Sequence, residues 1–421
     1  MNYEEALAYI ASLEGRGWRL GLDRMQAFVS WLGLEDFVAG REGCRFLHVA
    51  GTNGKGSVTA FLQSILCEAG HRAGAFFSPY VVDPRERVQI GRDLISEEML
   101  ATIVTDIAVK AESFAAESEF GGVTEFELKT AVGFEAWRRA KCDWVAVEVG
   151  LGGRLDATSV LTPAACAIVS IGLDHERILG LNEGEIAWEK AGILRPGVPC
   201  VVGEVSSEAL RAIEAVASRV ETPIWRMGKE IALQNDHVHT PRGDVGDLRP
   251  SIVGRWQLHN AALAAACALA AGCADASAIQ RGVRTAKAPG RFQAESIEGR
   301  TVIFDGAHNA AAAEALAVTL EEHFPRRAVR LVTNMLDGHD PLGFYRRLPK
   351  PVRTYVAPIR FARALSVDAT AQRLSELGWE VSPCKSAMAA LKAAIHDATE
   401  NDVVLVTGSN YLIGELLKLT A

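Results

Sequence analysis

The sequence predicts an α/β protein with two domains, each built on a largely parallel sheet. Short apolar runs alternate with helical patterns through most of the chain, as in "RFLHVAG" followed by "SVTAFLQSILCEAG". A second alternating series, beginning with "TVIFDGAHN", follows the Pro-Gly pair in "KAPGRFQ" at 287–293. The length of 421 residues is sufficient for two domains.

We place the domain boundary at this Pro-Gly pair. The predicted N-terminal domain covers 1–290, the smaller C-terminal domain covers 299–421, and 291–298 is the predicted linker. Parallel sheets bind ligands at the carboxyl ends of their strands. We therefore expect the chemistry to lie in "GTNGKGS", "EVGLGG" and "GLDH", which each follow an apolar run directly.

Composition and charge exclude several classes of protein. With 49% hydrophobic and 23% charged residues, the chain is typical of globular proteins, and its net charge of −8 disfavours binding to nucleic acid or anionic membranes. The eight cysteines are scattered without zinc-type spacing, as expected for buried thiols in a reducing compartment. The acidic N-terminus does not match a signal peptide, and we see no apolar stretch of membrane-spanning length, so we expect a cytoplasmic protein.

The segment "HVAGTNGKGSVTAFL" at 48–62 predicts a strand, a glycine-rich turn and a helix. This arrangement presents backbone N–H groups and a helix N-terminus to a phosphate, and Lys55 adds a positive charge. The strict Walker spelling fails, because Gly56 occupies the hydroxyl position and Ser57 comes one residue later. The alternative is a glycine-rich turn with an incidental lysine.

Two further segments carry candidate metal ligands. Glu148 lies in the apolar run "WVAVEVG", where an unpaired carboxylate is costly, so it requires a metal or a cation such as Arg154. His175 ends "SIGLDH", and Lys190 lies in the helical pattern "EIAWEKAGIL". A single histidine is often only structural, but His175 and Glu148 both follow strands of the same predicted sheet.

The C-terminal domain supplies a third group of polar residues. Asp305, His308 and Asn309 end the apolar run "VIFDGAHN", and Arg291 precedes it at the domain boundary. An arginine there can stabilise charge on a transferring phosphate. The alternative is a surface arginine beside an Asx-type turn.

Seven ordered blocks resemble those of the folylpolyglutamate synthase and dihydrofolate synthase family of the Mur ligase superfamily. The blocks are "GTNGKGS", "SPY", "VEVGLGGRLDATS", "SIGLDHERILG", "EKAGI", "PGRF" and "DGAHN". The resemblance implies a P-loop-like N-terminal ATPase domain and a Rossmann-like C-terminal domain that closes over the substrates. It also implies that ATP phosphorylates a pteroate or folate carboxylate and that the amine of L-glutamate attacks the acyl phosphate.

The resemblance also assigns roles residue by residue. The nucleotide contacts it implies are Asn53, Gly54, Lys55, Gly56, Ser57, Asn260, Arg291 and Asp305. The ligands it implies for two magnesium sites are Ser78, Glu148, His175 and Lys190, with the lysine carbamylated. The segments it implies for dihydropteroate are Thr124, Glu125, Phe126 and Glu127, and Leu155, Asp156 and Ala157. The catalytic residues we expect are Lys55, His175, Lys190, Arg291 and His308.

Within these segments, Asp156 suits a pterin as the acceptor for its N–H edge, and Phe126 suits it as a stacking face. The partners expected are small molecules, namely ATP, L-glutamate, dihydropteroate and reduced folates. We expect no nucleic acid and no membrane, and family members are commonly monomers. Two alternatives remain open, a Mur-type ligase for a different carboxylate and a nucleotide-dependent switch that hydrolyses ATP without ligation.

Overall fold

A computed structural model describes residues 1–14 and 21–420 and divides the chain into two compact units. The first unit comprises the described residues of Met1–Pro79, Arg85–Ser251 and Leu258–Lys287. The second unit comprises Tyr80–Pro84, Ile252–Gln257 and the described residues from Ala288 onward. Each unit contains its own sheet and its own buried apolar core.

The first unit is built on an eight-stranded sheet in the order β4-β3-β2-β5-β1-β6-β7-β8. Its strands are β1 (Arg45–Ala50), β2 (Ala73–Phe76), β3 (Val88–Ile90), β4 (Asp93–Leu94), β5 (Trp144–Glu148), β6 (Pro163–Ile168), β7 (Cys200–Val202) and β8 (Ile224–Arg226). All neighbours pair in parallel except β3 and β4, which are antiparallel at one edge. Strand β1 lies between β5 and β6, so the residues that follow these three strands lie at one edge of the sheet.

Helices cover this sheet. They are α1 (Tyr3–Ser12), α2 (Asp23–Leu32), α3 (Glu35–Val38), α4 (Lys55–Glu68), α5 (Glu97–Glu117), α6 (Glu125–Arg139), α7 (Glu176–Leu179), α8 (Glu183–Ala191), α9 (Ser207–Val220), α10 (Gln257–Ala271) and α11 (Ala276–Thr285). Helix α4 is buried along most of its length, consistent with its run of apolar and small residues. The described residues also include the 3₁₀ helices Pro84–Arg87 and Ala157–Val160. They further include a small antiparallel sheet of β9 (Ala232–Gln234), β10 (His237–Thr240) and β11 (Gly243–Val245).

The second unit contains a six-stranded sheet in the order β12-β13-β17-β14-β15-β16. Its strands are β12 (Gln293–Ile297), β13 (Arg300–Asp305), β14 (Ala328–Thr333), β15 (Arg353–Val356), β16 (Val381–Pro383) and β17 (Asp402–Thr407). Its helices are α12 (Ala310–His323), α13 (Pro341–Tyr345), α14 (Val367–Glu376), α15 (Ala387–Asp397) and α16 (Asn410–Thr420). Apolar clusters lie on both faces of the sheet, as expected for a parallel sheet with helices on each side.

The predicted fold class is confirmed, but the predicted linker differs from the structure. Within 291–298, β12 pairs antiparallel with β13 along its length, from Gln293 opposite Phe304 to Ile297 opposite Arg300. These ladder hydrogen bonds make the segment an edge strand of the second unit's sheet. Its side chains are largely exposed and carry no apolar signal, which is why sequence alone suggested a linker.

Among the described residues, no helix combines the length and the apolar composition that crossing a bilayer requires.

We predict that Gly74→Ala destabilises the first unit. Gly74 lies in β2, and a Cβ there would lie 2.6 Å from Cδ1 of Trp137, whose buried indole N–H donates to the Gln89 carbonyl at 3.1 Å. Overpacking of this kind costs about 1–3 kcal/mol of unfolding free energy. Chemical denaturation measures the loss, and a Trp137→Leu background, which removes the clashing ring, should make the same substitution nearly neutral. If Gly74→Ala lowers the unfolding free energy equally in the wild type and in Trp137→Leu, a clash with the Trp137 ring is not the cause.

Candidate active site

The loop between β1 and α4 has the geometry of a phosphate-binding turn. Gly54 precedes the helix with φ of 83°, a left-handed conformation that favours glycine. A Cβ at Gly54 would lie 2.8 Å from Cγ1 of Val169 and 2.9 Å from Oδ1 of Asn260. Gly54 places no side-chain cap on α4, and the N-terminus of a helix presents backbone N–H groups that suit an anion.

Two lysines converge on one backbone oxygen of this loop. Nζ of Lys55 donates to the carbonyl oxygens of Gly51 at 3.0 Å and Thr52 at 3.1 Å. Nζ of Lys190, in α8, also donates to the Gly51 oxygen at 3.0 Å. Burial, and then the charge of Lys55, lower the pKa of Lys190 to about 7. Lys190, predicted to lie on a helix, therefore hydrogen-bonds to the predicted phosphate loop.

Residues after β6 hold the loop in place. The N–H of Thr52 donates to the carbonyl of Ser170 at 2.8 Å, and the N–H of Asn53 donates to the Ser170 hydroxyl at 3.0 Å. That hydroxyl donates to the Asn53 carbonyl at 2.9 Å, and the Thr52 hydroxyl donates to the Gly172 carbonyl at 3.1 Å. The sequence interpretation missed Ser170 and Thr52. Both residues follow neighbouring strands of the predicted sheet, and this position could have indicated that they lie at the phosphate loop.

Glu148 is the last residue of β5 and its side chain is buried. Its Oε2 accepts the backbone N–H of Ser78 at 3.0 Å, so these two predicted metal ligands are adjacent. The alternative partner, Arg154, instead donates to Glu189 at 2.8 Å and stacks over Trp188, with its Cζ 4.5 Å from the ring centroid. Pairing of Glu148 with Arg154 is therefore wrong.

His175 is half-buried at the start of α7 in a left-handed conformation, with φ of 52°. Its backbone N–H donates to Oδ1 of Asp174 at 2.9 Å, and the charge of Asp174 acts to raise the pKa of Lys190. Residues 1–14 and 21–420, which the structure describes, contain no group of three or more His, Cys, Asp or Glu residues that could hold a metal. The predicted ligand set has only Glu148 and His175 of these types, so it depends on the Ser78 and Lys190 side chains.

The segment Thr124–Glu127 begins α6 with a capping box. Thr124 caps the helix, and Glu127 accepts the Thr124 N–H at 2.7 Å and pairs with half-buried Arg24 at 2.9 Å. Glu125 pairs with Lys129 one turn later. Glu127 is thus engaged in holding the helix start, whereas Phe126 is half-buried beside it.

The ring of Phe126 is held in an aromatic cluster. It packs edge-on against Phe76, with centroids 6.1 Å apart, and the Arg87 guanidinium lies 5.7 Å from the Phe126 centroid. A side chain at Gly150 would overlap this ring and would lie 3.1 Å from Oδ2 of Asp156. Glycine at 150 therefore allows the phenyl ring and the carboxylate to approach the same space.

Asp156 is buried and its oxygens accept hydrogen bonds from its own loop. Oδ2 accepts the N–H of Leu151 at 2.9 Å, and Oδ1 accepts the N–H of Thr158 at 3.0 Å. Burial raises the pKa of Asp156, and these hydrogen bonds oppose the rise. Leu155 is half-buried before it, and Ala157 begins the 3₁₀ helix after it.

The remaining nucleotide-loop candidates lie in the first unit. Gly56 and buried Ser57 occupy the first turn of α4, and buried Asn260 reaches the loop from α10. Asn260 thus lies against Gly54, although 206 positions separate them in the sequence.

In the second unit, Asp305 ends β13 and accepts the N–H groups of Phe292 and Ala307, each at 2.9 Å. Burial raises the pKa of Asp305, and the charge of Arg291 opposes the rise. His308 follows, with Nδ1 2.7 Å from the Gly306 carbonyl, while Asn309 caps α12. The Asx-type turn is made by Asp305, whose Oδ1 accepts the N–H two residues on, whereas Asn309 is the N-cap of α12. Arg291 lies close enough to Asp305 for its charge to act on that carboxyl group.

Comparison with protein families identifies the C-terminal part of the chain. Residues 290–410 match the family model described as "Mur ligase, glutamate ligase domain". This range covers most of the second unit.

Relatives that match nearly the whole chain are also glutamate ligases, namely folylpolyglutamate and dihydrofolate synthases. The Bacillus subtilis dihydrofolate synthase/folylpolyglutamate synthase is 33% identical over 99% of this chain and 98% of its own length. The structure of Escherichia coli FolC in complex with DHPP and ADP is 30% identical, with a TM-score of 0.88 over 100% of this chain and 98% of that chain. The Yersinia pestis bifunctional folylpolyglutamate synthase/dihydrofolate synthase, complexed with AMPPNP and Mn ion, is also 30% identical, with a TM-score of 0.86 over 100% and 98% of the two chains.

We predict that Gly54→Ala abolishes ADP binding. The left-handed conformation costs about 1–2 kcal/mol for a residue with a Cβ, and the added methyl meets Val169 and Asn260. The thermal stabilisation that ADP confers on the wild type should therefore disappear. Gly172→Ala is the matched control, because its Cβ would meet only Cγ2 of Thr52 at 4.0 Å. If ADP still raises the melting temperature of Gly54→Ala as it does for the wild type, glycine is not required at this position.

Proposed function

The chain belongs to the family of folylpolyglutamate and dihydrofolate synthases, and we propose that it joins L-glutamate to dihydropteroate, to the γ-carboxylate of tetrahydrofolates, or to both. It is an ATP-dependent ligase that releases ADP and phosphate. The observation that carries this proposal is the match to the Bacillus subtilis relative over 99% of this chain and 98% of that protein. The phosphate loop and the buried carboxylate at adjacent strand ends support it.

The reaction needs a better leaving group than a carboxylate provides. Transfer of the terminal phosphate of ATP to the carboxylate oxygen forms an acyl phosphate, and the glutamate amine displaces the phosphate to form the amide. Negative charge develops in both steps. We propose that Lys55 and the N–H groups at the start of α4 stabilise this charge, with Asn53, Gly54, Gly56, Ser57 and Asn260 completing the phosphate loop.

The ligase uses a divalent metal together with the nucleotide, as the Mn complex of the Yersinia pestis relative supports. We propose two magnesium sites, with Ser78 and Glu148 at one and Glu148, His175 and Lys190 at the other. The buried Glu148 carboxylate fits such an ion, since hard oxygen ligands suit magnesium. When bound, the ion neutralises charge on the phosphates.

A lysine amine does not fit a cation site, because it has only donors. We propose that Lys190 reacts with CO₂, so that its amine nitrogen forms a bond to carbon and releases a proton, leaving a carbamate. The carbamate carries the oxygen ligands that magnesium requires. Burial of Lys190 and the charge of nearby Lys55 favour a neutral amine, which is the form that reacts.

For the substrates, we propose that Phe126 stacks on the pterin and Asp156 accepts its N–H groups, with Thr124, Glu125, Glu127, Leu155 and Ala157 shaping the site. Arg291, His308 and Asp305 are proposed to act on the nucleotide from the second unit. We also propose that the chain works as a monomer on small molecules alone, because one chain supplies all of these residues.

We predict that ADP release requires both glutamate and a pterin substrate. Separate reactions with dihydropteroate and with a reduced folate, each with glutamate and ATP, are followed by ADP release and by mass spectrometry of the product. A mass gain of one glutamyl residue identifies which bond forms. ADP release that ignores glutamate would indicate a switch, and release that ignores both pterins would indicate a ligase for another carboxylate.

We predict that Lys55→Ala lowers the rate of glutamate-dependent ADP release by about 100-fold or more, because it removes a charge from the developing phosphate oxyanion. Lys110→Ala, at an exposed position of α5, is the matched control and should keep the wild-type rate. Full activity of Lys55→Ala would exclude the loop as the phosphate site.

We predict that Lys190→Ala loses about 10- to 100-fold in rate and that acetate partly restores it by supplying the missing carboxylate oxygens. The same acetate should not restore Lys55→Ala, which lacks a cation rather than an anion. Chloride at equal ionic strength controls for salt. Rescue of neither variant, together with no carbamate carbon signal from ¹³C-bicarbonate in the wild type, would refute carbamylation.

A further inference from the structure

Three buried polar side chains form a line from the central strand of the first sheet to Asp156. Nε2 of His48, in β1, lies 2.9 Å from Oγ1 of Thr158. The Thr158 hydroxyl in turn donates to Oδ1 of Asp156 at 2.5 Å. His48 and Thr158 have no exposed surface, and Asp156 is 6% exposed.

The direction of these hydrogen bonds follows from the number of protons. Both oxygens of Asp156 act as acceptors: Oδ2 receives the N–H of Leu151, and Oδ1 receives both the N–H and the hydroxyl of Thr158. The single proton of the Thr158 hydroxyl is therefore committed to Asp156. The remaining lone pairs of that oxygen can only accept, so His48 donates through an Nε2–H.

The environment of His48 suits this tautomer. Burial, and then the charge of Arg195, lower the pKa of His48 to about 3, so the ring is neutral near pH 7. Its Nδ1 has no hydrogen-bond partner within the part of the chain that the structure describes, as fits a nitrogen without a proton. In the parallel ladder His48 lies opposite Val147 of β5 and Cys166 of β6, so two neighbouring strands fix its position.

The other oxygen of Asp156 is the one that lies near the aromatic ring. Oδ1 accepts both bonds from Thr158, whereas Oδ2 accepts the N–H of Leu151 and borders the space beside Gly150 that the Phe126 ring also borders. The bonds from Thr158 therefore hold Oδ1 and orient Oδ2 toward this space. An acceptor beside a stacking ring matches the edge and the face of a pterin.

We propose that His48 and Thr158 are positioning residues that act in series, His48 through Thr158, to hold Asp156 in the orientation that accepts the N–H edge of the pterin. This inference rests on the proposed role of Asp156 in the ligase. It adds two residues that touch neither the nucleotide nor the pterin, and it assigns them an effect on pterin affinity.

Steady-state kinetics with the pterin substrate that the wild type accepts test this inference. Thr158→Val keeps the shape of the side chain but removes the hydroxyl, and we expect KM for the pterin to rise about tenfold, as for the loss of one buried hydrogen bond. KM for ATP should change by less than about twofold, because the nucleotide does not contact this line. Thr158→Ser restores the hydroxyl and should restore KM.

A second pair of variants tests His48 independently, should Thr158→Val fail to fold. His48→Leu removes the donor and should raise KM for the pterin, while His48→Gln places an amide N–H near the former Nε2 and should keep KM close to the wild-type value. In series, the double variant His48→Leu/Thr158→Val should raise KM no further than Thr158→Val alone. Additive effects of the two substitutions would overturn the serial arrangement.

Asp156→Asn distinguishes the proposed pterin site at Asp156 from the proposed positioning role of His48 and Thr158. If it raises KM for the pterin while folded Thr158→Val and His48→Leu leave KM unchanged, the positioning role is wrong and the substrate site stands. If Asp156→Asn also leaves KM unchanged, the proposed pterin site itself is wrong. Equal increases of KM for ATP and for the pterin in the folded variants would indicate a general structural effect and would likewise overturn the positioning role.

Discussion

The carbonyl oxygen of Gly51 is the contact on which the site of the first unit depends. It accepts hydrogen bonds from Lys55 and from Lys190, at 3.0 Å each, at the end of the central strand β1. Burial lowers the pKa of Lys190, and repulsion between the two cationic groups at this oxygen lowers it further. The arrangement therefore favours an arriving phosphate at Lys55 and a neutral amine at Lys190.

Strand β1 gives both halves of the site a common support. Gly51 follows its last residue, and His48 lies within it, hydrogen-bonded to Thr158 of the segment that contains Asp156. Neighbours β5 and β6 pair with β1 along its length, so neither contact moves without disturbing the sheet. Glu148, at the end of β5, shares this support, which explains how one buried sheet positions a phosphate loop and a carboxylate.

Sequence patterns predicted the parts of the fold in which local signals are strong. The strands before "GTNGKGS" and "EVGLGG" are buried and apolar, and the helix with Lys190 runs from Glu183 to Ala191. Edge strands were missed because most of their side chains are exposed and carry no apolar pattern, as in β12, or because they are as short as β4. Sequence could not decide whether Arg154 pairs with Glu148, because ion pairing depends on which helix packs nearby, and in the structure Arg154 pairs with Glu189 of α8.

By itself, the sequence determined which chemical groups the chain carries and where they follow strands: the glycine-rich loop with Lys55, the carboxylate of Glu148 after an apolar run, and the lysine of "EKAGI". Only the tertiary structure decided that Lys190 reaches Gly51, that Ser170 holds the phosphate loop, and that His48 hydrogen-bonds to Thr158, 110 positions away. The physical reason is that hydrogen bonds between distant segments follow from strand order and register. A parallel sheet sets these through packing of the whole unit, and no local pattern encodes them.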